Sequence, residues 1–196
     1  MRCFIAVDIN RTIQDKMADL QIDLRHALPD KTPDIKWVDP NLIHVTLKFL
    51  GDVPDREIVS ICRVTQEVAS RHDPFTLAIQ SVGHFRGKCA RVLWAGVGEG
   101  NQTLEELHED LETRLDDIGW PCEGRRFSAH LTLCRTKSPS AGFELARTYG
   151  PWQNRNFGTT DIDTLVVYHS QLTKQGPIYT PVGKYPLGEN RDHEKF

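Results

Sequence analysis

The chain has 196 residues, 39% apolar and 26% charged, with 24 basic against 27 acidic residues and a net charge of −3. That is an ordinary globular profile, long enough for one ample domain or for two small lobes sharing a core. It excludes tight sequence-independent binding of duplex nucleic acid through a broad positive field, and leaves room for a small phosphorylated ligand or one RNA end at a local basic cluster.

Residues 2–8, Arg-Cys-Phe-Ile-Ala-Val-Asp, predict a short buried strand. The run is too short for a leader or a membrane span, and Asp8 interrupts it. After Asn10, the apolar residues Ile13, Met17, Leu20, Leu24 and Leu28 recur at steps of three and four, which predicts an amphipathic helix. Segment 30–40, with Pro33 and Pro40, reads as a loop holding a short extended piece at Lys36-Trp37-Val38. Segment 42–50 is β-branched and apolar and reads as a strand that Gly51 stops. Pro54 suits the first turn of a second helix, whose face is Ile58, Ile61, Cys62 and Val68.

Strands follow at 75–82 and 89–97, joined by the connection 83–88. Asn101 is expected to cap a third helix with Leu104, Leu107, Leu111, Leu115 and Ile118 on its apolar side. The acidic residues Glu105, Glu106, Glu109, Asp110, Glu112, Asp116 and Asp117 read as that helix's solvated face. A strand at 127–135, a short helix at 140–149 and strands at 161–169 and 178–185 complete the chain. The expectation is a single domain over 1–188 and a polar tail over 189–196.

Cys3, Cys62, Cys89, Cys122 and Cys134 are odd in number and form no C-x-x-C pair. This argues for reduced thiols in a cytoplasmic protein, against a disulfide framework and against a cysteine zinc site. Nothing suggests a membrane association or an obligate dimer, so a monomer is expected.

One short pattern repeats: His44-Val45-Thr46-Leu47 and His130-Leu131-Thr132-Leu133, each inside a predicted strand and in different halves of the chain. Two identical polar placements in apolar strands point to a common cause. Residues i and i+2 of a strand share a face, so each copy presents an imidazole and a hydroxyl together over an apolar backing. Brought to one cleft, two imidazoles suit phosphodiester hydrolysis. One, neutral, takes a proton from water; the other, protonated, gives one to the leaving oxygen. The threonine hydroxyls can donate to the nonbridging oxygens as charge grows there. Such a pair needs no metal and no cofactor. The spacing alone leaves open which histidine is acid and which is base.

At these residues the chain resembles the two-histidine phosphoesterase superfamily, and more closely the bacterial and archaeal RNA 2′,3′-cyclic phosphodiesterases once called 2′-5′ RNA ligases. The likeness runs through residues 2–8, Trp37-Val38, the stretch 44–51, Arg91-Val92-Leu93-Trp94, the stretch 127–135, Ser170 with Leu172, and Gly176-Pro177 with Tyr179. It departs at Ala129, where the family commonly has proline. The resemblance implies an α+β fold of two lobes of antiparallel sheet, related by a pseudo-twofold axis, with outer helices and a central cleft. It implies conversion of a 2′,3′-cyclic phosphate to a 2′-phosphate, with His44 as proton donor and His130 as acceptor, and reversible 2′-5′ joining at the same site. The partners implied are RNA ends or small cyclic nucleotides. A non-catalytic nucleotide- or RNA-binding module of the same fold is the alternative, and a metal-dependent hydrolase a third reading.

The resemblance places Arg135 near the phosphate, but strand parity puts it opposite His130, so a bulge or strand end is required to turn it inward. Lys48 shares parity with His44 and Thr46 and is expected either at the cleft rim, as a substrate contact, or simply exposed. Phe49 has the parity of the apolar backing, and Cys134 that of His130. Arg125 and Arg126 are solvated or steer RNA toward the cleft. Tyr179, Phe85 and Trp152 are either stacking platforms for a base or core aromatics. The remaining histidines, 26, 72, 84, 108, 169 and 193, lack the following threonine and read as surface or structural. His44, His84, His130 and His169 fit no compact zinc spacing.

Overall fold

In the computed structural model, which describes residues 1–29, 32–85, 87–174 and 176–188, the opening apolar run forms strand β1 (Arg2–Asp8). Helix α1 (Arg11–Ala27) comes next, capped by the Asn10 side chain, which accepts from the Ile13 backbone N–H. Ile13, Met17, Leu20 and Leu24 of α1 are buried, as their spacing predicts. Then come β2 (Ile35–Trp37), a single 3₁₀ turn, β3 (His44–Asp52), α2 (Ile58–Ala69), β4 (Phe75–His84), β5 (Val92–Val97) and α3 (Asn101–Asp116). The chain ends with β6 (His130–Thr136), α4 (Pro139–Thr148), β7 (Asn156–Ile162), β8 (Thr164–Thr173) and β9 (Gly176–Pro186). The tail expected over 189–196, and His193 with it, lies outside the described residues.

Two local expectations change. Asn101 does not cap α3: Gly100 does, at φ 84, and a side chain there would run into the Thr76 carbonyl. Asn101 is already helical and its side chain donates to Glu105. After α4 the chain forms three strands rather than two, with β7 and β8 separated by Asp163 alone.

The strands form one antiparallel sheet in the order β7-β4-β5-β6-β3-β1-β8-β9, with β2 added on β6. The order is symmetric about the junction between β6 and β3: β5 matches β1, β4 matches β8, and β7 matches β9. At the junction the two inner strands touch through one bridge, Val45 opposite Leu131, both fully buried. The two His-x-Thr-Leu segments therefore start side by side and run apart.

The helices back the sheet on one face, but not each behind its own half. Helix α1 leaves β1 and packs behind the other half, where Lys16 donates to the Phe157 carbonyl of β7 and Gln21 to the Leu133 carbonyl of β6. Helix α3 leaves β5 and packs on α2 and β3. The core between sheet and helices holds Ile5, Val7, Met17, Leu24, Val45, Leu47, Leu107, Leu111, Leu131 and Leu133.

Candidate active site

The alternation of the inner strands decides which side chains face away from the helices. Val45 and Leu47 of β3, and Leu131 and Leu133 of β6, lie in the core, so His44, Thr46, His130 and Thr132 share the opposite face and are half-buried there. Each imidazole is held in the same way. His44 Nδ1 is 2.8 Å from the Leu42 carbonyl and His130 Nδ1 is 2.7 Å from the Ser128 carbonyl, in both cases two residues back along the chain. A carbonyl only accepts, so Nδ1 carries the proton in both rings and Nε2 is left for the cleft. His44 Nε2 lies 2.9 Å from the Thr46 hydroxyl.

Period-two parity holds through the motif and fails one residue later, identically in both strands. Ile5 pairs with Lys48 and Ala6 with Thr46, which leaves Leu47 as an extra residue in β3. Leu93 pairs with Cys134 and Trp94 with Thr132, which leaves Leu133 extra in β6. Such a bulge reverses the facing of the residues that follow it, in β3 as far as a second irregularity at Leu50. Lys48 is turned to the helix side and is only 3% exposed. Its Nζ lies 2.7 Å from Glu112 Oε1 of α3 and donates to the Pro121 carbonyl. It is therefore not at the cleft rim, and Glu112 is not part of a solvated face. Phe49, expected in the backing, is turned outward and is 54% exposed.

In β6 the same reversal buries Cys134 in the core, away from His130, where desolvation pushes its thiol up to about 12 and keeps it protonated. It also brings Arg135 round to the histidine face, exposed, with its charge acting on both His130 and Tyr179.

Aromatic rings line this face. Phe4 of β1 stacks on His44 with ring centroids 4.9 Å apart, and Tyr179 of β9 meets His44 edge-on at 5.5 Å. Tyr168 of β8 packs on Phe4. On the other half, Phe85 meets His130 edge-on at 5.0 Å and tilts against Trp94. Tyr179 and Phe85 are thus at the site, whereas Trp152 packs against the core. Arg126 is solvent-exposed beside Glu105 of α3, while the charge of Arg125 reaches His130. His84 bonds Tyr149 and the Gly87 carbonyl, and His108 stacks on Phe127, so both are structural.

Sequence reading passed over Phe4, Asp8, Tyr168 and Trp94. Asp8 is the cross-strand partner of His44, and both of its carboxylate oxygens accept from the Tyr168 hydroxyl, at 3.0 and 2.8 Å. The signal that finds them is the sheet order, because β1 and β5 flank the motif strands and β8 lies next to β1.

Burial holds both imidazoles below the ordinary histidine value. For His44 desolvation dominates; the Leu42 carbonyl and the Asp8 carboxylate act in the opposite sense, and His130 adds to the lowering. For His130 desolvation again dominates; the Ser128 carbonyl opposes it, and Arg135 and Arg125 lower the pKa further. Among the described residues no group of three or more His, Cys, Asp or Glu is placed to hold a metal ion, and no helix is long and apolar enough to cross a membrane.

A family model described as LigT-like phosphoesterase matches residues 7–94 and 96–179. A protein of Methanothermobacter thermautotrophicus named RNA 2′,3′-cyclic phosphodiesterase is 32% identical over 188 residues, covering 95% of this chain and 99% of its own. One of the same name from Aquifex aeolicus is 34% identical over 157 residues, covering 78% and 82%. Among solved structures, a Thermus thermophilus protein superposes with a TM-score of 0.76 at 26% identity, covering 96% of this chain and 98% of that one. Escherichia coli LigT, solved with 3′-AMP, gives 0.76 at 22% identity, covering 95% and 97%, and shares the fold.

Proposed function

The chain belongs to the LigT-like phosphoesterase family, and from that premise we propose that it hydrolyses RNA 2′,3′-cyclic phosphate ends to 2′-phosphates. The observation that carries this reading is the pair of imidazoles on one face, each with Nδ1 tied to a carbonyl and Nε2 left for chemistry. The names of the relatives at 32% and 34% identity support the substrate class.

In the proposed reaction the cyclic phosphate lies between the two motif strands. His130 Nε2 takes a proton from water as its oxygen bonds to phosphorus. The bond from phosphorus to the 3′ oxygen breaks on the opposite side, and protonated His44 gives that oxygen its proton. A 2′-phosphate and a free 3′ hydroxyl result, with the proton moved in effect from His44 to His130. Thr46 and Thr132 donate to the nonbridging oxygens, and Arg135 balances the phosphate charge. The charges around the rings favour this assignment: Asp8 supports a proton on His44, and two arginines oppose one on His130. A 5′ hydroxyl of a second RNA in place of water gives a 2′-5′ bond by the same proton transfers. Both transfers are made by imidazole, so the proposed mechanism needs no metal.

The test is product analysis on a 2′,3′-cyclic nucleotide with EDTA present. A 2′-phosphate is expected at an unchanged rate, and His44→Ala and His130→Ala should each lower turnover at least about 100-fold while the protein stays folded. Chelator-sensitive turnover would instead favour a metal-dependent hydrolase, and binding without turnover a nucleotide-binding module.

A further inference from the structure

Beyond its bulge, β6 carries a cation that sits directly beside a second one. Arg135 is paired across the ladder with Lys36 of β2, and residues opposite one another in an antiparallel ladder share a face. The adjoining pair, Trp37 and Cys134, is turned to the helix side, where the Arg25 guanidinium of α1 lies over the Trp37 ring. Lys36 therefore projects away from the helices, next to Arg135, and both are exposed. Among the described residues neither forms an ion pair with a carboxylate. Like charges placed directly opposite weaken a ladder, so the arrangement is unfavourable until an anion lies between them. The matching position on β3 holds Phe49, paired with Phe4, and offers no charge.

We propose that Lys36 holds the backbone phosphate that precedes the reacting nucleotide, with Arg135 beside it lying between that phosphate and the cyclic one. The site is then built for the 3′ end of an RNA strand rather than for a free cyclic mononucleotide. This rests on the reaction proposed above for His44 and His130. A strand whose last phosphate lies between the histidines and whose chain leaves along β6 meets this pair first, whereas one leaving along β3 meets the ring of Phe49. Each cation that binds a single-stranded backbone also makes binding salt-dependent, by a slope of roughly 0.7 in log affinity against log salt.

The experiment compares kcat/KM of the unaltered protein, Lys36→Ala and Lys36→Arg on two substrates: a cyclic mononucleotide, and a short RNA oligonucleotide ending in the same 2′,3′-cyclic phosphate. Lys36→Ala should lose roughly tenfold on the oligonucleotide through KM, the size expected for one hydrogen bond to a charged group. It should match the unaltered protein on the mononucleotide. Lys36→Arg should restore oligonucleotide turnover, and the salt slope for the oligonucleotide should fall by roughly 0.7 in Lys36→Ala. The alanine variant should melt no lower than the unaltered protein, because a repulsion has been removed. Equal loss on both substrates, or no loss on either, overturns the proposal. Failure of the underlying reaction is seen separately, as an unaltered protein that turns over neither substrate, and it overturns both.

Discussion

Asp8 stands across the strand from His44 with Tyr168 on both of its carboxylate oxygens, whereas His130 has Arg135 and Arg125 for neighbours. The groups facing His44 are thus Asp8 and Phe4 from β1, Tyr168 from β8, Tyr179 from β9, Thr46 from its own strand and His130 from β6. Both imidazoles lie below the ordinary value of about 6.5, chiefly through burial. Because the proposed reaction needs one imidazole neutral and the other protonated, kcat/KM is expected to follow a bell-shaped pH profile that peaks on the acid side of that value, with limbs that belong to the coupled pair. Asp8→Asn keeps an oxygen for the Tyr168 hydroxyl and removes the charge. Since the carboxylate raises the His44 pKa, its loss should move the profile to lower pH, most at the limb where His44 loses its proton. A superimposable profile in Asp8→Asn would remove Asp8 from the chemistry. The histidines and threonines of this site were legible in the sequence because a repeated pattern needs no fold to be seen. Asp8 was not, because its meaning comes from a cross-strand partner 36 positions away that only pairing reveals.

The two motif strands carry the same device after the same residue: an extra leucine, Leu47 or Leu133, that reverses the facing of the residues beyond it. Each bulge is met from behind by a polar side chain of the helix that crosses from the other half. Gln21 of α1 donates to the Leu133 carbonyl at 3.0 Å and to the Val38 carbonyl at 2.8 Å. Glu112 of α3 pairs with Lys48 and accepts from the Glu123 N–H at 2.6 Å, which ties down the segment leading to His130. These account for three of the few buried polar side chains, and burial without such partners is costly.

Lys48→Met strands the Glu112 carboxylate in the core and should destabilise by about 3–5 kcal/mol, read from denaturant unfolding. The double variant Lys48→Met with Glu112→Leu should recover most of that loss. A single variant as stable as the unaltered protein would show that the pair does not hold the bulge. Helices α1 and α2 were legible from spacing, and the strands from composition, with one exception: β7, Asn-Phe-Gly-Thr-Thr-Asp-Ile, is too polar to announce itself as a strand. Parity placed His44 and Thr46 correctly and misplaced Lys48, Phe49 and Cys134, because a one-residue bulge has no signature in a strand of apolar residues.

Across the whole molecule, the two halves of the sheet meet through a single bridge, Val45 to Leu131, a joint too slight to make them unfold together. The crossed helices supply the rest. Helix α1 is covalently next to β1 but bonded to β6 and β7, and α3 is next to β5 but packed on β3 and α2. Melting either half therefore strips the backing from the other, so the opening of one exposes apolar core of both. A single cooperative transition is expected, with the amides of β1 and β8 and those of β4 and β7 exchanging through openings of equal free energy. Lys48→Met, although it lies in β3, should lower protection in β4 and β7 as much as in β1 and β8. Native-state hydrogen exchange decides this: if protection falls only in β1, β3, β8 and β9, the halves are independent units and the crossed helices do not couple them. The coupling matters for chemistry because the two imidazoles come from different halves. In the proposed reaction the two histidines flank one phosphorus, and they stay in register only as long as neither half can open without the other.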